Sequence, residues 1–132
     1  MPLDIHAKAA ITELLHRYCH NADYNPPEHM RELFTADGIF EIPAMELHFE
    51  GIDAIVAFFT ASRASSTSGA RHVISNVLIE GDADRATSSA YLQVLGERDG
   101  AMGVVAFGRY MDELRRDGDG RWRFAHRHVV LG

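Results

Sequence analysis

Hydrophobic residues recur every three or four positions in the first half of the chain and every second position in the second half. From Ile5 to Ala22 the apolar side chains fall on one stripe, and Asp4 is placed to cap the segment. The stripe consists of Ile11, Leu14, Leu15, Tyr18, Cys19 and Ala22. This spacing predicts an amphipathic helix with one buried face.

Two more helices and a short strand are predicted before the period changes. Asn25-Pro26-Pro27-Glu28 combines a cap, prolines suited to a first helical turn and a capping-box glutamate. Asp37-Gly38 is predicted to end this short helix, and Pro43 is predicted to end the strand that follows it. The predicted elements are a short helix through Met30, Leu33 and Phe34, a strand Ile39–Ile42, and a helix that opens at Gly51-Ile52-Asp53.

Turn signals divide the second half into four long strands after a Ser/Gly-rich loop, Ser65–Gly69. The predicted strands are Arg71–Glu80, Arg85–Glu97, Val104–Arg116 and Arg121–Leu131. Sequential hairpins would make an antiparallel sheet. Helices followed by such a meander predict an α+β fold, in which a strongly curved sheet wraps three N-terminal helices and leaves a pocket at one end.

Composition limits the classes of partner. The 132 residues, 46% of them hydrophobic, fit a single domain over residues 1–132. A formal net charge of −6, with arginines interspersed among acids, argues against nucleic acid. The single cysteine, Cys19, excludes an internal disulfide and suits a cytoplasmic protein. No apolar run approaches the roughly 20 residues of a membrane helix, so no membrane association is expected.

Asp23 and His72 are the candidate acid/base pair. Asp23 follows the first predicted helix, and His72 opens the first long strand. A carboxylate on one ring nitrogen fixes the histidine tautomer and leaves the other nitrogen free to move protons. The alternatives are that Asp23 only caps local amides and that His72 is satisfied by a backbone carbonyl.

Short motifs over nearly the whole chain occur in an order that matches a known family. They are Arg17-Tyr18 leading to Asp23, Leu33-Phe34-Thr35-Ala36-Asp37-Gly38, Phe49-Glu50-Gly51-Ile52-Asp53-Ala54-Ile55, Arg71-His72, Gly108-Arg109-Tyr110-Met111-Asp112 and Asp119-Gly120-Arg121-Trp122-Arg123-Phe124. The set resembles the SnoaL-like group of the nuclear transport factor 2-like superfamily. The resemblance implies a cone-shaped α+β fold that hosts cyclases, dehydratases, isomerases and noncatalytic proteins, so it leaves the reaction open.

Comparison with branches of the superfamily assigns roles to individual residues. Asp23 and His72 are similar to the pair of scytalone dehydratase and its relatives, in which the histidine is the base and the aspartate orients it. A second histidine of that enzyme is not matched, because Ala90 and Tyr91 stand nearest to its place. Ordinary dehydration is therefore not the only reaction to consider.

Two other branches match less well. Tyr18 falls where ketosteroid isomerase has its oxyanion-hole tyrosine, but Ile42 stands where that enzyme has its catalytic aspartate. The alternative for Tyr18 is a core position on the helical stripe. The acid/base aspartate of the polyketide cyclases cannot be assigned among Asp112, Asp117 and Asp119.

Further candidates concern the pocket wall. Asn76 shares a predicted strand face with His72. Phe58, Met102 and Phe107 belong to a set of large apolar side chains that is larger than the buried helix faces require, so some of its members should line the pocket. The other members of that set are Phe59, Met30, Met45 and Leu47. We therefore expect a hydrophobic or aromatic small-molecule ligand.

No cofactor or metal is assigned. His16 and His20 have helical i, i+4 spacing, but they lie off the apolar stripe. His126 and His128 are predicted to share a strand face with Trp122 and Phe124, where they could ligate a metal or face the pocket. Neither a carboxylate nor a third histidine stands at diagnostic spacing. Three arginines are expected to pair with acids such as Asp112 and Glu113; they are Arg109, Arg123 and Arg127.

The predicted function is a cofactor-independent acid/base enzyme of the dehydratase, isomerase or cyclase type, acting on a small hydrophobic oxygenated molecule. The alternative is a noncatalytic ligand-binding or assembly domain, because the C-terminal strands also resemble the β subunits of aromatic-ring dioxygenases. Epoxide hydrolysis would need an Asp-Arg-Asp set that we cannot locate. Self-association to a homo-oligomer, a dimer or trimer, is expected because a curved sheet leaves its outer face open.

Overall fold

The first helix, α1, spans Ile5–Asp23 in a computed structural model that describes residues 2–65 and 69–132. The Asp4 side chain accepts a hydrogen bond from the backbone N–H of Ala7 at 2.8 Å, as expected of an N-cap. Its buried residues include Ile11, Leu14, Leu15, Tyr18 and Cys19. The predicted stripe is therefore the face that packs into the core.

The second predicted helix is shorter than expected. It is a 3-10 helix, Pro27–Glu32, and the chain enters a strand at Phe34. The backbone N–H of Phe124 donates to the carbonyl of Leu33 at 2.8 Å, so the last strand holds this segment extended. The third helix, α2, spans Ile52–Ser65, close to its predicted start. The predicted loop Ser65–Gly69 lies mostly outside the described residues.

Six strands form one sheet in the order β2-β1-β6-β5-β4-β3. The strands are β1 Phe34–Ile42, β2 Leu47–Glu50, β3 Arg71–Asp82, β4 Arg85–Arg98, β5 Ala101–Arg116 and β6 Trp122–Leu131. All neighbours are antiparallel except β1 and β6, which run parallel. The α+β prediction is confirmed, but the four-residue β2 and the parallel junction were not foreseen.

Hairpin turns connect β3 to β4 and β4 to β5. Asp99 and Gly100 both have positive φ, 54° and 80°, which suits a two-residue turn and confirms the predicted one. The preceding turn was predicted two residues too early, at Gly81-Asp82. Asp82 pairs with Arg85 instead, so the ladder continues further than the glycine indicated.

Bulges curve the sheet and change which side chains face inward. The register of β5 against β6 shifts between Glu113 and Leu114, which leaves Ala125 as an extra residue in β6. Phe124 faces the core, but His126 and His128 lie on the outer face. Their predicted common face with Trp122 and Phe124 is therefore wrong, because the bulge reverses the alternation.

The core lies between the helices and the inner face of the sheet, with Tyr18 at its centre. The Arg127 guanidinium carbon lies 4.2 Å from the Tyr18 ring centre and 3.6 Å from that of Tyr110. Arg127 Nε donates to Asp112 Oδ1 at 2.9 Å, and the Ser88 hydroxyl donates to Asp112 Oδ2 at 3.0 Å. The predicted pairing of Arg127 with Asp112 is confirmed, as a fully buried ion pair.

Among the helices of the described residues, none combines the length and the apolar character that crossing a membrane requires.

Candidate active site

Asp23 and His72 meet across the junction of α1 and β3. His72 Nδ1 lies 2.6 Å from Asp23 Oδ1, and the backbone N–H of His72 donates to Asp23 Oδ2 at 2.9 Å. Both carboxylate oxygens are therefore engaged by one residue. The predicted adjacency of the two side chains is confirmed.

This contact fixes the histidine tautomer. A carboxylate only accepts hydrogen bonds, so Nδ1 carries the proton and Nε2 keeps its lone pair in the neutral ring. Within the described residues Nε2 of His72 has no hydrogen-bond partner. The Asp23 side chain is 6% exposed and that of His72 27%, so the carboxylate is shielded while the ring remains accessible.

A cavity of about 350 Å³ opens beside the pair, between the helices and the inner face of the sheet. Its apolar wall includes Phe40, Ile42, Met45, Phe58, Phe59, Leu92, Val94, Ala106, Val129 and Leu131. Its polar groups include Tyr18, Asn21, Asp23, Ser62, Arg63, Arg71, His72 and Tyr110. Among the described lining residues, Asp23 is the one carboxylate and His72 the one imidazole, so proton transfer by carboxylate or imidazole would fall to this pair.

Tyr18 serves both the core and the cavity. It is 2% exposed, and it also belongs to the cavity lining. Burial raises the pKa of the Tyr18 hydroxyl well above its usual value, although the Arg127 charge and a hydrogen bond with Tyr110 lower it in part. Burial likewise raises the pKa of Tyr110. Both phenols therefore stay protonated and are able to donate hydrogen bonds.

Arg63 positions the end of α1 next to the site. Its Nη2 donates to the backbone carbonyls of Asn21, Ala22 and Asn25 at 2.9, 3.0 and 2.9 Å. The carbonyls of Asn21 and Ala22 are among those left unpaired where a helix ends, and Asp23 follows them directly. Sequence reasoning missed Arg63, because its partners lie about 40 positions earlier and no local motif links them.

Arg71 and Tyr110 were also missed as cavity residues. The Arg71 guanidinium lies over the Tyr24 ring, with its carbon 4.2 Å from the ring centre, beside the pair. Arg71 precedes His72 in a resemblance motif, and Tyr110 lies in another. Those motifs were the available signal, but they did not show which side chains face inward.

The structure places one of the predicted cavity-lining residues in the cavity wall and the other three outside it. Phe58 lines the cavity, as expected, whereas Asn76, Met102 and Phe107 do not. A register shift between Ser75 and Leu78 interrupts the strand, and Asn76 is exposed there with φ 55°. Met102 and Phe107 are 70% and 61% exposed on β5. Simple alternation from His72 therefore failed at a bulge, and apolar character alone did not reveal which face is open.

The remaining histidines lie outside the cavity. His16 and His20 are exposed on α1, as predicted. His126 and His128 lie on the outer face, where Glu41 of β1 supplies a carboxylate. Glu41 is 85 positions from His126, so no local spacing could have shown it.

The model of the SnoaL-like domain matches residues 4–128. No curated protein matches the sequence.

Solved structures with the same fold are numerous. A putative aromatic ring hydroxylase from Novosphingobium aromaticivorans is 28% identical over 98% of this chain and 91% of its own, with a TM-score of 0.83. A protein of unknown function from Mycobacterium tuberculosis is 27% identical over 95% and 71%, with a TM-score of 0.85. A putative scytalone dehydratase from Novosphingobium aromaticivorans, 22% identical over 95% and 83% with a TM-score of 0.81, shows the shared fold alone.

Proposed function

Because the chain belongs to the SnoaL-like family and brings a shielded aspartate and an accessible histidine together in an apolar cavity, we propose that it is a cofactor-independent acid/base enzyme. The reaction is proton abstraction from a small hydrophobic oxygenated molecule, leading to elimination, isomerisation or ring closure. The observation that carries the proposal is the 2.6 Å contact between His72 and Asp23 at the cavity wall.

The proposed first step is transfer of a proton from substrate carbon to His72 Nε2. Asp23 then stabilises the imidazolium, because its Oδ1 already accepts the proton on Nδ1. The negative charge that develops on substrate oxygen is stabilised by a hydrogen bond from the Tyr18 hydroxyl, near the Arg127 charge. Return of the proton from His72 to another substrate carbon completes an isomerisation. In an elimination His72 returns the proton to the departing oxygen, which leaves as water while the double bond forms. In a ring closure the carbanion attacks a carbonyl carbon of the same molecule, and His72 returns the proton to the oxygen of that carbonyl.

The cavity supports the proposed substrate class. A volume of about 350 Å³ is at the lower end of small-molecule sites, and most of the lining side chains are aliphatic or aromatic. Ile42 lies in this wall at the position that matches the catalytic aspartate of ketosteroid isomerase. The carboxylate chemistry of that enzyme is therefore not part of the proposal, and His72 is the base.

The second candidate is a noncatalytic ligand-binding or assembly domain. It is favoured by large apolar side chains on the outer face of the sheet, among them Leu78 at 68% and Tyr91 at 58% exposure. One structure that is 28% identical to this chain is that of a putative aromatic ring hydroxylase, which supports an association with aromatic-ring hydroxylating proteins. Cys19 is buried and unpaired, consistent with the reducing cytoplasm that we propose on either account.

The test is deuterium incorporation from D₂O into a panel of small enolisable aromatic, steroid and polyketide-like ketones, followed by NMR. We expect His72→Ala and Asp23→Asn each to lower the exchange rate by about 10² to 10⁴, the usual contribution of a positioned acid/base group. His20→Ala, which removes an exposed histidine from α1, is the matched control.

Nitrogen NMR of His72 checks the proposed tautomer without a substrate. We expect Nδ1 to be protonated and Nε2 unprotonated in the neutral ring of the wild type, and a mixture of tautomers in Asp23→Asn. Ketones that bind in the cavity but exchange no faster than in buffer would favour the noncatalytic candidate. Equal exchange by wild type and both variants would exclude the pair.

A further inference from the structure

Three side chains on the outer face of the sheet converge where β1 runs parallel to β6. Glu41 Oε1 lies 2.8 Å from His126 Nε2 and 3.2 Å from His128 Nδ1. Glu41 is the register partner of His128, and the bulge at Ala125 turns His126 to the same face. The cluster is therefore a product of the fold and lies away from the cavity that holds His72.

From this geometry we propose that Glu41, His126 and His128 bind a divalent transition-metal cation of the zinc type. Two imidazoles and one carboxylate are ligands that zinc takes in sites with an open position. The three candidate ligand atoms all lie within 4.8 Å of one another. Tetrahedral zinc with bonds of about 2.0–2.2 Å holds neighbouring ligand atoms about 3.3–3.6 Å apart, so modest side-chain rotation suffices.

His48 orients the carboxylate of this cluster. Its Nδ1 lies 2.8 Å from Glu41 Oε2, and its Nε2 lies 3.0 Å from Glu50 Oε1. Glu41 is therefore held through Oε2 from β2, and Oε1 is directed toward the two histidines of β6. This arrangement makes His48 a positioning residue and leaves Oε1 as the ligand atom.

The surroundings favour a cation and allow it to enter. Glu113 Oε2 lies 4.0 Å from His126 Nδ1 and adds negative charge next to the cluster. Its position is close to that of a carboxylate that accepts a hydrogen bond from the second ring nitrogen of a metal-binding histidine and so orients the ring. The side chains of Glu41, His126 and His128 are 18%, 30% and 41% exposed. Both histidines line an outer groove of about 390 Å³, from which water would complete the coordination.

The experiment uses the tag-free, chelator-treated chain titrated with zinc chloride by isothermal calorimetry. We expect one equivalent of zinc per chain and a melting temperature that rises with zinc concentration. Glu41→Gln and His128→Ala should each weaken binding at least about tenfold, and His48→Ala should weaken it less, since it only orients Glu41. The ring resonances of His126 and His128 should shift on titration.

Two controls separate this site from other histidines. The double variant His16→Ala/His20→Ala removes the exposed helical pair, and His72→Ala removes the cavity histidine; both should keep wild-type zinc affinity. Zinc binding that is lost in either control, or that survives in Glu41→Gln and His128→Ala, would overturn the proposal. So would the absence of any heat or thermal shift at millimolar zinc, which would leave the cluster a hydrogen-bond network only.

Discussion

A carboxylate contacts histidine on each side of the sheet, and the two contacts have different surroundings. On the inner side Asp23, at the end of α1, is 6% exposed, and within the described part of the chain its hydrogen bonds are all to His72, the shortest at 2.6 Å. On the outer face Glu41 is 18% exposed and lies within 3.2 Å of three imidazoles, those of His48, His126 and His128.

The difference shows that distance alone does not define what such a contact does. Both oxygens of the inner carboxylate are engaged by one residue, and the accessible atom is an imidazole nitrogen beside an apolar cavity, which suits proton transfer. The outer carboxylate has two imidazole nitrogens around Oε1, beside open solvent, which suits a shared cation. The same pair of side-chain types therefore supports a base in one place and a ligand set in the other.

Arg127 separates the two regions, since it points inward between the outward His126 and His128. Arg127→Met would leave the Asp112 carboxylate buried without its partner, and burial already raises the pKa of Asp112. We expect the free energy of unfolding to fall by about 3–5 kcal/mol in urea titrations. The control is Arg109→Met, at an exposed position on β5.

A double variant sharpens that result. Replacing both members of a buried ion pair by apolar groups is often close to neutral, so Arg127→Met with Asp112→Leu should recover part of the loss. A loss in Arg127→Met no larger than that in Arg109→Met would mean that the inner face does not depend on this pair. The contributions of the inner and outer regions to the free energy of unfolding would then differ less than the burial of their side chains indicates.

The long periodic segments were predictable from sequence. The stripe through Ile11 and Tyr18 and the turn at Asp99-Gly100 each depend on local patterns, and both were confirmed. The strand β2 and the parallel pairing of β1 with β6 were not predictable in this way. They depend on contacts between distant segments, and a four-residue strand carries too little periodicity to be recognised.

The candidate site could be predicted from sequence only where a family resemblance linked residues that lie far apart in the chain. Asp23 and His72 are 49 positions apart, and family motifs rather than spacing linked them. Asn76 and the outward His126 and His128 were misplaced, because a bulge adds one residue and reverses every later side chain. Alternation predicts a face only as far as the ladder stays regular.

Self-association through the outer face remains a prediction. Exposed apolar side chains lie there, including Leu78, Tyr91 and Phe107. If copies pair through this face, Tyr91→Glu should raise the dissociation constant at least about tenfold, because a charge would be buried at the interface. Light scattering with size-exclusion chromatography measures this, with Ile5→Glu, at a 77% exposed position on α1, as the control. A monomeric wild type would contradict it.

The smallest expected effect concerns an ion pair of Asp119, in the turn between β5 and β6, whose side chain is 48% exposed. Hydrogen bonds from the Arg123 side chain and the Arg121 backbone lower the pKa of Asp119 from 3.8 to about 2. Since the folded pKa lies below the unfolded one, the stabilisation is complete above pH 3.8 and is lost as the pH falls toward about 2. Asp119→Asn should therefore destabilise the protein slightly at pH 5 and less at pH 3 in urea titrations. Asp99→Asn, the same change in another hairpin turn, is the control, and an equal pH dependence in both variants would show that this half-exposed ion pair contributes nothing measurable to stability.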